Sequence, residues 1–349
     1  MKVLVAMSGG VDSSVVACLL KAQGHDVIGV RFTLWQDPKA PAHAQILPTK
    51  CCDMQTMNRA RAVAKCLGIP FHEVDLRKEF KRRVVDLFLA ASAKGLTPNP
   101  CVLCNRVFKF SELLKLARKL KCDAVATGHY ARIRRNRDGS VSLLEARDPR
   151  KDQSYFLSRL TQKELRRSIF PLEQLKKSEV YALAKKFGIP LERETYRESQ
   201  DLCFFPEKSP AAFLRRYIKG KKGVIVTRAG TVLGTHEGLA FYTVGQRHGL
   251  KIGGQKIPVH VVGKDRSLNA LIVAPRGEDT SRKVTAASLS FPSTPLPRTR
   301  LALHARIRAS GEKHRGTFTH DGKRGVFRFA RSVRGVTPGQ ALVLYKGKE

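Results

Sequence analysis

Across residues 1 to 203 of this 349-residue chain, short apolar runs alternate with segments whose apolar residues recur every three or four positions. The runs Val3–Ala6, Asp26–Phe32, Phe71–Val74 and Ala124–Thr127 read as strands. Ser13–Gln23, Met54–Leu67, Glu79–Lys94 and Ser111–Leu120 read as amphipathic helices. A strand–helix alternation of this kind predicts an α/β architecture, a doubly wound, Rossmann-like parallel sheet with helices on both faces. Such sheets bind ligands beyond the carboxyl ends of their strands. From Gly223 onward the pattern shortens to glycine-punctuated strands such as G-V-I-V-T-R-A-G-T-V-L-G. Near the end, L-A-L-H-A-R-I-R and A-L-V-L-Y-K flank G-T-F-T-H-D-G-K-R-G-V-F-R-F-A, a hairpin turning at Asp321-Gly322. These stretches predict a small, mostly β central domain and a C-terminal antiparallel β-barrel, with the Pro-rich run Phe291–Pro297 at the barrel's entrance. The expected divisions are the α/β domain over 1–205, the small central domain over 206–275 and the barrel over 280–349.

Composition adds a partner. No apolar run approaches the ~20 residues of a membrane span. The first residues form a strand rather than a charged segment with an apolar core and cleavage site, so a cytoplasmic protein is expected. Lys and Arg number 65 against 29 Asp and Glu, a net charge of +36. Residues 1–203 hold 37 basic and 21 acidic groups, whereas residues 204–349 hold 28 and 8. An excess this large implies a polyanionic partner, and nucleic acid is the commonest. The basic strings K-L-A-R-K-L-K (Lys115–Lys121) and R-R-N-R (Arg134–Arg137) read as solvated faces, with RNA contact equally open for the second. Eight cysteines in a chain of this size do not read as a disulfide framework. Cys18, Cys66 and Cys122 stand singly and are expected in the core, and Cys51-Cys52 is expected to be structural.

Two stretches carry chemistry. The first strand ends in S-G-G-V-D-S-S, Ser8 to Ser14, before a helix. Glycines let backbone N–H groups approach phosphate oxygens, and the helix N-terminus adds partial positive charge. Asp12 cradles no anion by itself and so points to Mg²⁺. The string is neither G-x-x-x-x-G-K-[ST] nor G-x-G-x-x-G, which excludes the two commoner phosphate loops. It resembles the phosphate loop of the PP-loop ATP pyrophosphatase superfamily, whose members activate a carbonyl oxygen by adenylation. The second stretch is T-P-N-P-C-V-L-C-N-R, Thr97 to Arg106. Asn99 suits a helix N-cap and Pro100 a first helical residue, which puts Cys101 and Cys104 in the opening turns. The helix terminus, Arg106 and Lys109 favour thiolate there. Cys203, in E-S-Q-D-L-C-F-F, is a third sulfur, and nothing in its spacing joins it to Cys104. Trp35 is expected near the strand end beside the nucleotide, or simply in the core.

Together with A-T-G-H-Y, K-D-Q-S-Y-F-L, Y-T-V-G-Q-R-H-G-L and V-T-P-G-Q, these strings span nearly the whole chain. In that order they resemble the tRNA-specific 2-thiouridylase family. The resemblance implies ATP-dependent conversion of the wobble uridine of certain anticodons to 2-thiouridine. It implies that Ala6, Met7, Ser8, Gly9, Gly10, Val11, Asp12 and Ser13 hold the ATP phosphates, with Phe32 and Gly128 lining the adenosine pocket. Cys104 would be the nucleophile, and Cys203 would carry a persulfide received from a sulfur donor protein (a cysteine desulfurase or a relay) or from sulfide. Asn99, Pro100 and Cys101 would lie beside the target base. His129, Lys151, Asp152, Gln153, Arg306, Ile307 and Gln340 fall on tRNA-contact positions. One departure leaves the sulfur carrier open: many family members have aspartate where Cys101 stands. Cys101, Cys104 and Cys203 could instead hold a [4Fe–4S] cluster whose free iron binds sulfide. The rival readings are a PP-loop enzyme that uses nitrogen after adenylation, such as a lysidine synthetase, and an RNA-binding protein that senses ATP without catalysis.

Overall fold

The architecture was analysed in a computed structural model, which describes residues 1–41, 54–189, 202–207, 209–253, 257–293 and 296–349. The reading of Cys51-Cys52 and part of the Pro-rich run fall outside these residues. Strand β1 (Lys2–Ala6) is the middle of a five-stranded sheet, and its Val3, Leu4 and Val5 are fully buried. A strand covered on both faces must be apolar throughout rather than alternating, which is why K-V-L-V-A shows no period of two. Helix α1 (Val11–Ala22) follows, then β2 (Asp26–Thr33), α2 (Met54–Cys66) and β3 (Phe71–Asp75). Helix α3 (Arg77–Phe80) runs through a π-helical turn, Lys81–Val85, into α4 (Asp86–Ala93). The helix expected over Glu79–Lys94 is therefore interrupted. Next come α5 (Pro100–Cys104), a second π-helical turn over Asn105–Phe110, α6 (Ser111–Lys119) and β4 (Ala124–Ala126).

The remaining elements of this unit are strands β5 (Arg132–Arg135) and β6 (Val141–Leu144), helices α7 (Ser154–Leu157) and α8 (Gln162–Arg166), strand β7 (Ser168–Ile169) and helix α9 (Lys177–Lys186). The sheet order is β3-β2-β1-β4-β7, and every pair is parallel. Val3 and Val5 pack on one side with Val15 and Val16 of α1, Ala60 of α2 and Val180 of α9. Leu4 packs on the other side with Leu113, Leu114 and Ala117 of α6. The doubly wound layout follows. Chain order reverses direction between β1 and β4, so the loops after these two strands flank the crevice where such sheets bind ligands.

The string R-R-N-R is not merely a solvated face, since it closes the β5–β6 hairpin, which the sequence reading missed. Its apolar content is only Ile133, Val141, Leu143 and Leu144, too little to stand out among the arginines.

Helix α10 (Pro210–Tyr217), capped by Ser209, leads into a four-stranded sheet of order β10-β11-β8-β9. Its strands are β8 (Gly223–Thr227), β9 (Val232–His236), β10 (Val259–Asp265) and β11 (Ala270–Pro275), with β8 and β11 parallel. The C-terminal unit is an antiparallel sheet of order β12-β15-β14-β13-β16, namely β12 (Thr280–Ala286), β13 (Leu301–Arg306), β14 (His314–His320), β15 (Gly325–Arg334) and β16 (Val343–Tyr345). Its core is Leu303, Ala305, Phe318, Phe327 and Phe329. The expected hairpin turns where Asp321 accepts from the N–H groups of Lys323 and Arg324 at 2.7 and 2.6 Å, with Gly322 at φ +97°. No described helix is long and apolar enough to cross a membrane.

Candidate active site

Strand β1 delivers Met7 with its side chain buried and its N–H bonded to the Val30 carbonyl at 2.8 Å. Gly9 then takes φ +82°, and a Cβ there would lie 1.9 Å from the Thr56 carbonyl oxygen of α2. Any side chain is excluded on both counts. The serines fold the loop on itself. Ser13 Oγ accepts from the Ser8 N–H at 3.2 Å, and the hydroxyls of Ser13 and Ser14 both donate to the Gly10 carbonyl at 3.0 Å. Gly10 precedes α1 without a side-chain cap, so the first-turn N–H groups face the crevice as a ready anion site. Across it, a Cβ on Gly128 would lie 3.0 Å from the Ser13 nitrogen and 3.2 Å from the Asp12 Cβ, so the strand end after β4 presses against the loop. Ala6 and Phe32 are partly buried at this end of the sheet, Val11 is buried, and Phe32 meets Phe108 edge-on.

Asp12 is the hub of a constellation that sequence reasoning missed. One carboxylate oxygen accepts from the Tyr130 hydroxyl at 2.7 Å and from Lys177 Nζ at 2.6 Å. Lys177, nearly buried at the start of α9, is steadied by its backbone N–H donating to Asp148 at 3.1 Å. Lys151 lies in the same field, and burial first, then the charge of Lys177, pushes its pKa below the ordinary lysine range. Lys177 sits 165 residues from Asp12 in an unremarkable L-K-K-S-E-V string, so only the topology brings it here.

The cysteine helix is built as its sequence implies. Asn99 Oδ1 accepts from the Cys101 N–H at 3.2 Å, and Pro100 opens α5. Cys104 is buried in an apolar cluster with Phe80, Phe108 and Phe204, and Cys203 packs against the same cluster, whereas Cys101 is partly buried outside it. Trp35 belongs to this cluster too, edge-on to Phe213 and Tyr217, in a core role. The segment after Cys203 is tied down by Arg216, which pairs with Glu207 and with the buried Asp37, to which the Tyr217 hydroxyl also donates. Among the described residues no three His, Cys, Asp or Glu side chains form a metal-ligating group. Cys18 and Cys122 are buried as expected, and burial lifts both thiol pKa values, that of Cys18 to about 11. Cys66, expected in the core, is instead exposed, because the last turn of α2 points it outward.

Of the remaining candidates, Gln340, Arg306 and Asp152 make contacts between the α/β unit and the C-terminal sheet. The Thr97 N–H donates to the Pro338 carbonyl at 2.9 Å, and Gln340 Nε2 donates to the Thr97 carbonyl at 2.8 Å. Gly339 between them has φ +101°, and a Cβ there would come within 2.9 Å of the Thr97 nitrogen. Arg306 pairs with Asp152 at 2.7 Å and Glu145 at 3.0 Å, and Lys313 adds to Glu145 at 2.9 Å. Gln153 exchanges two hydrogen bonds with the Tyr130 backbone, and Ile307 is buried in the barrel core. His129 lies against Phe110 and Phe170, with Thr127 Oγ1 2.8 Å from its Nδ1. Burial, and then Lys109, lowers its pKa to about 3, which keeps the ring neutral.

Three family models tile the chain. They are a tRNA methyl transferase HUP domain over residues 1–207, a tRNA methyl transferase PRC-barrel domain over 211–275 and an aminomethyltransferase beta-barrel domain over 281–349. Full-length relatives bear a different activity in their names. The tRNA-specific 2-thiouridylase MnmA of Geobacter metallireducens is 44% identical over 351 residues, covering 100% of this chain and 94% of that protein. That of Chloroflexus aurantiacus (strain ATCC 29366 / DSM 635 / J-10-fl) is 43% identical over 354 residues, covering 99% and 96%. That of Lactococcus lactis subsp. cremoris (strain MG1363) is 41% identical over 358 residues, covering 100% and 92%.

Proposed function

The chain belongs to the tRNA-specific 2-thiouridylase family, and on that premise we propose that it exchanges the C2 oxygen of the wobble uridine in tRNA anticodons for sulfur, using ATP. The observation that carries the chemical assignment is the shared apolar cluster of Cys104 and Cys203, which also takes in Phe32 of β2, the strand beside β1. ATP phosphates bind the N–H groups from Ser8 to Ser13, and the adenosine lies toward Phe32 and Gly128. The uridine O2 attacks the α-phosphate, and pyrophosphate leaves. Asp12 is the carboxylate that would hold Mg²⁺, which when bound would screen the charge of the phosphates. Lys177 then exchanges Asp12 for a phosphate oxygen and neutralises the leaving pyrophosphate, with Lys151 beside it.

The base must be unstacked to reach the cysteines, beside Asn99, Pro100 and Cys101. A persulfide on Cys203 attacks C2 through its terminal sulfur, and AMP departs with the old oxygen. The Cys104 thiolate attacks the inner sulfur of Cys203, and the S–S bond to the base's sulfur breaks. This leaves 2-thiouridine and a Cys104–Cys203 disulfide, which an external thiol reduces. The aromatic surroundings keep water from the activated C2. A donor protein that carries a persulfide passes its outer sulfur to the Cys203 thiolate and keeps its own thiol. Sulfide recharges Cys203 only by attacking its sulfur in the Cys104–Cys203 disulfide, which releases the Cys104 thiolate in place of reduction by the external thiol. A [4Fe–4S] cluster on Cys101, Cys104 and Cys203 would need three converging ligands, a group absent among the described residues, so no step is routed through it. His129, Lys151 and Gln340 approach the RNA, while Asp152 and Arg306 hold barrel and catalytic domain in register beneath it, Gln153 fixes the Tyr130 backbone and Ile307 fills the barrel core.

The test is tRNA-dependent pyrophosphate release and thionucleoside content for Cys104→Ser and Cys203→Ser. Both variants are expected to release pyrophosphate while forming no 2-thiouridine. A nitrogen-using relative would be indifferent to both changes.

A further inference from the structure

Cys203 opens a segment that is held in two different ways. Phe204 and Phe205 follow it and are 2% and 5% exposed. Phe204 lies edge-on to Phe80, Phe88 and Phe213, and Phe205 stacks on Phe213 with centroids 4.8 Å apart. Burying these rings keeps the segment against the core, but apolar burial is a non-directional force and fixes its register poorly. At Glu207 the bonding changes character. Arg216 of α10 donates through one terminal nitrogen to Glu207, and through Nε to Asp37 at 2.7 Å. Asp37 also accepts from the Tyr217 hydroxyl, and from the Lys39 N–H at 2.9 Å. The Asp37 side chain is fully buried, and those of Arg216 and Glu207 are 18% and 20% exposed.

One guanidinium thus serves two carboxylates, which leaves these three side chains with one negative charge in excess, largely away from water. Apolar side chains would hold the segment with less desolvation, since a buried ion pair is weak evidence for stability. What the pairs add is direction, because a planar guanidinium donates only along its fixed N–H vectors. The geometry also selects what is aligned with what. Asp37 ends the stretch that leaves β2 at Phe32, the ring assigned above to the adenosine, and passes through Leu34 and Trp35 of the cysteine cluster. Glu207 ends the stretch that begins at Cys203, and Arg216 joins the two ends.

We propose that Arg216 and Glu207 are positioning residues for the sulfur-transfer step, holding the Cys203 sulfur in line with C2 of the activated uridine and with Cys104. The proposal rests on the thiolation reading above. Both side chains act through the backbone between Cys203 and Glu207. Adenylation takes place at the phosphate loop and asks nothing of this clasp. The two sulfur displacements need close alignment, and a misplacement of about 1 Å costs on the order of 10²-fold.

The test is a single turnover of the full-length protein, loaded to equal persulfide content at Cys203, on tRNA and ATP. Pyrophosphate and 2-thiouridine are followed in the same sample. Glu207→Gln keeps the shape of the arm, removes its charge and leaves Arg216 on Asp37. It is expected to release pyrophosphate at the wild-type rate and to form 2-thiouridine about ten- to a hundred-fold more slowly. Activated uridine then waits for sulfur, or water displaces AMP from C2 and restores the oxygen. The early ratio of 2-thiouridine to pyrophosphate should therefore fall well below that of wild type. Arg216→Lys keeps a cation beside Asp37 but lacks the fork that spans two carboxylates, and should behave as Glu207→Gln does. The double variant should be no worse than either single one, because the pair acts as a unit. A merely structural role would slow pyrophosphate release and thiolation together, or would lower the melting temperature and leave both rates unchanged. Either result overturns the proposal. If wild type releases pyrophosphate but forms no 2-thiouridine, the thiolation reading itself fails and the positioning role falls with it.

Discussion

At the scale of single residues, the account turns on what Asp12 and Lys177 do for each other. In the structure they neutralise one another at 2.6 Å, Lys177 nearly buried and Asp12 partly open to the crevice. Lys177→Ala is expected to reduce pyrophosphate release by about 10²- to 10³-fold, the range for losing one charged stabiliser of a transition state. ATP affinity should change far less, which equilibrium nucleotide binding beside single-turnover kinetics would show. His129 makes a second, independent prediction. Its folded pKa of about 3 lies far below its ordinary value of 6.5, so the unfolded chain binds the extra proton first as pH falls. The stability contributed by the neutral ring is complete above pH 6.5 and is lost as pH falls toward 3, by at most about 1.4 kcal/mol per pH unit. Urea midpoints at pH 7.5 and pH 5 should differ in wild type, and the difference should shrink in His129→Asn.

At the scale of elements, the cysteine helix is too short to hold itself in place, having only five residues. Its N-cap and proline set its start, and the barrel fixes the loop before it through Thr97. Gly339→Ala would force both a left-handed backbone, at ~1–2 kcal/mol, and a 2.9 Å clash with Thr97. The expected outcome is a fall of about ten-fold in thiolation rate with ATP binding intact, read from single-turnover assays against nucleotide titrations. The cap, the proline and the phosphate loop were legible in the sequence because their geometry is local, set by residues one to four positions apart. Lys177, Tyr130 and the Thr97–Gln340 brace were not, since each depends on which strand ends the topology places together. The β5–β6 hairpin was hidden for a third reason: its strands are only four residues each, and the first is three-quarters arginine. Cys66 was misjudged because a lone cysteine near a helix end carries no signal of which way that turn faces.

At the scale of the molecule, the surplus of positive charge and the bridge between domains belong to one design. Arg306 links β13 to Asp152, whose side chain is 1% exposed, and to Glu145. Arg306→Ala leaves the buried Asp152 carboxylate without its cation, while Glu145 keeps Lys313, and is expected to destabilise the domain junction by ~3–5 kcal/mol, visible as earlier melting in calorimetry. With a net charge of +36, affinity for tRNA should fall steeply with salt, whereas nucleotide binding in the crevice should hardly respond. The measurement that bears most directly on the central claim is a single turnover of iron-free protein, loaded with persulfide at Cys203, on tRNA and ATP. AMP and 2-thiouridine are then quantified from the same sample. One thionucleoside per AMP without added iron is the predicted result. AMP without 2-thiouridine, or thiolation that appears only after iron is restored, would contradict it.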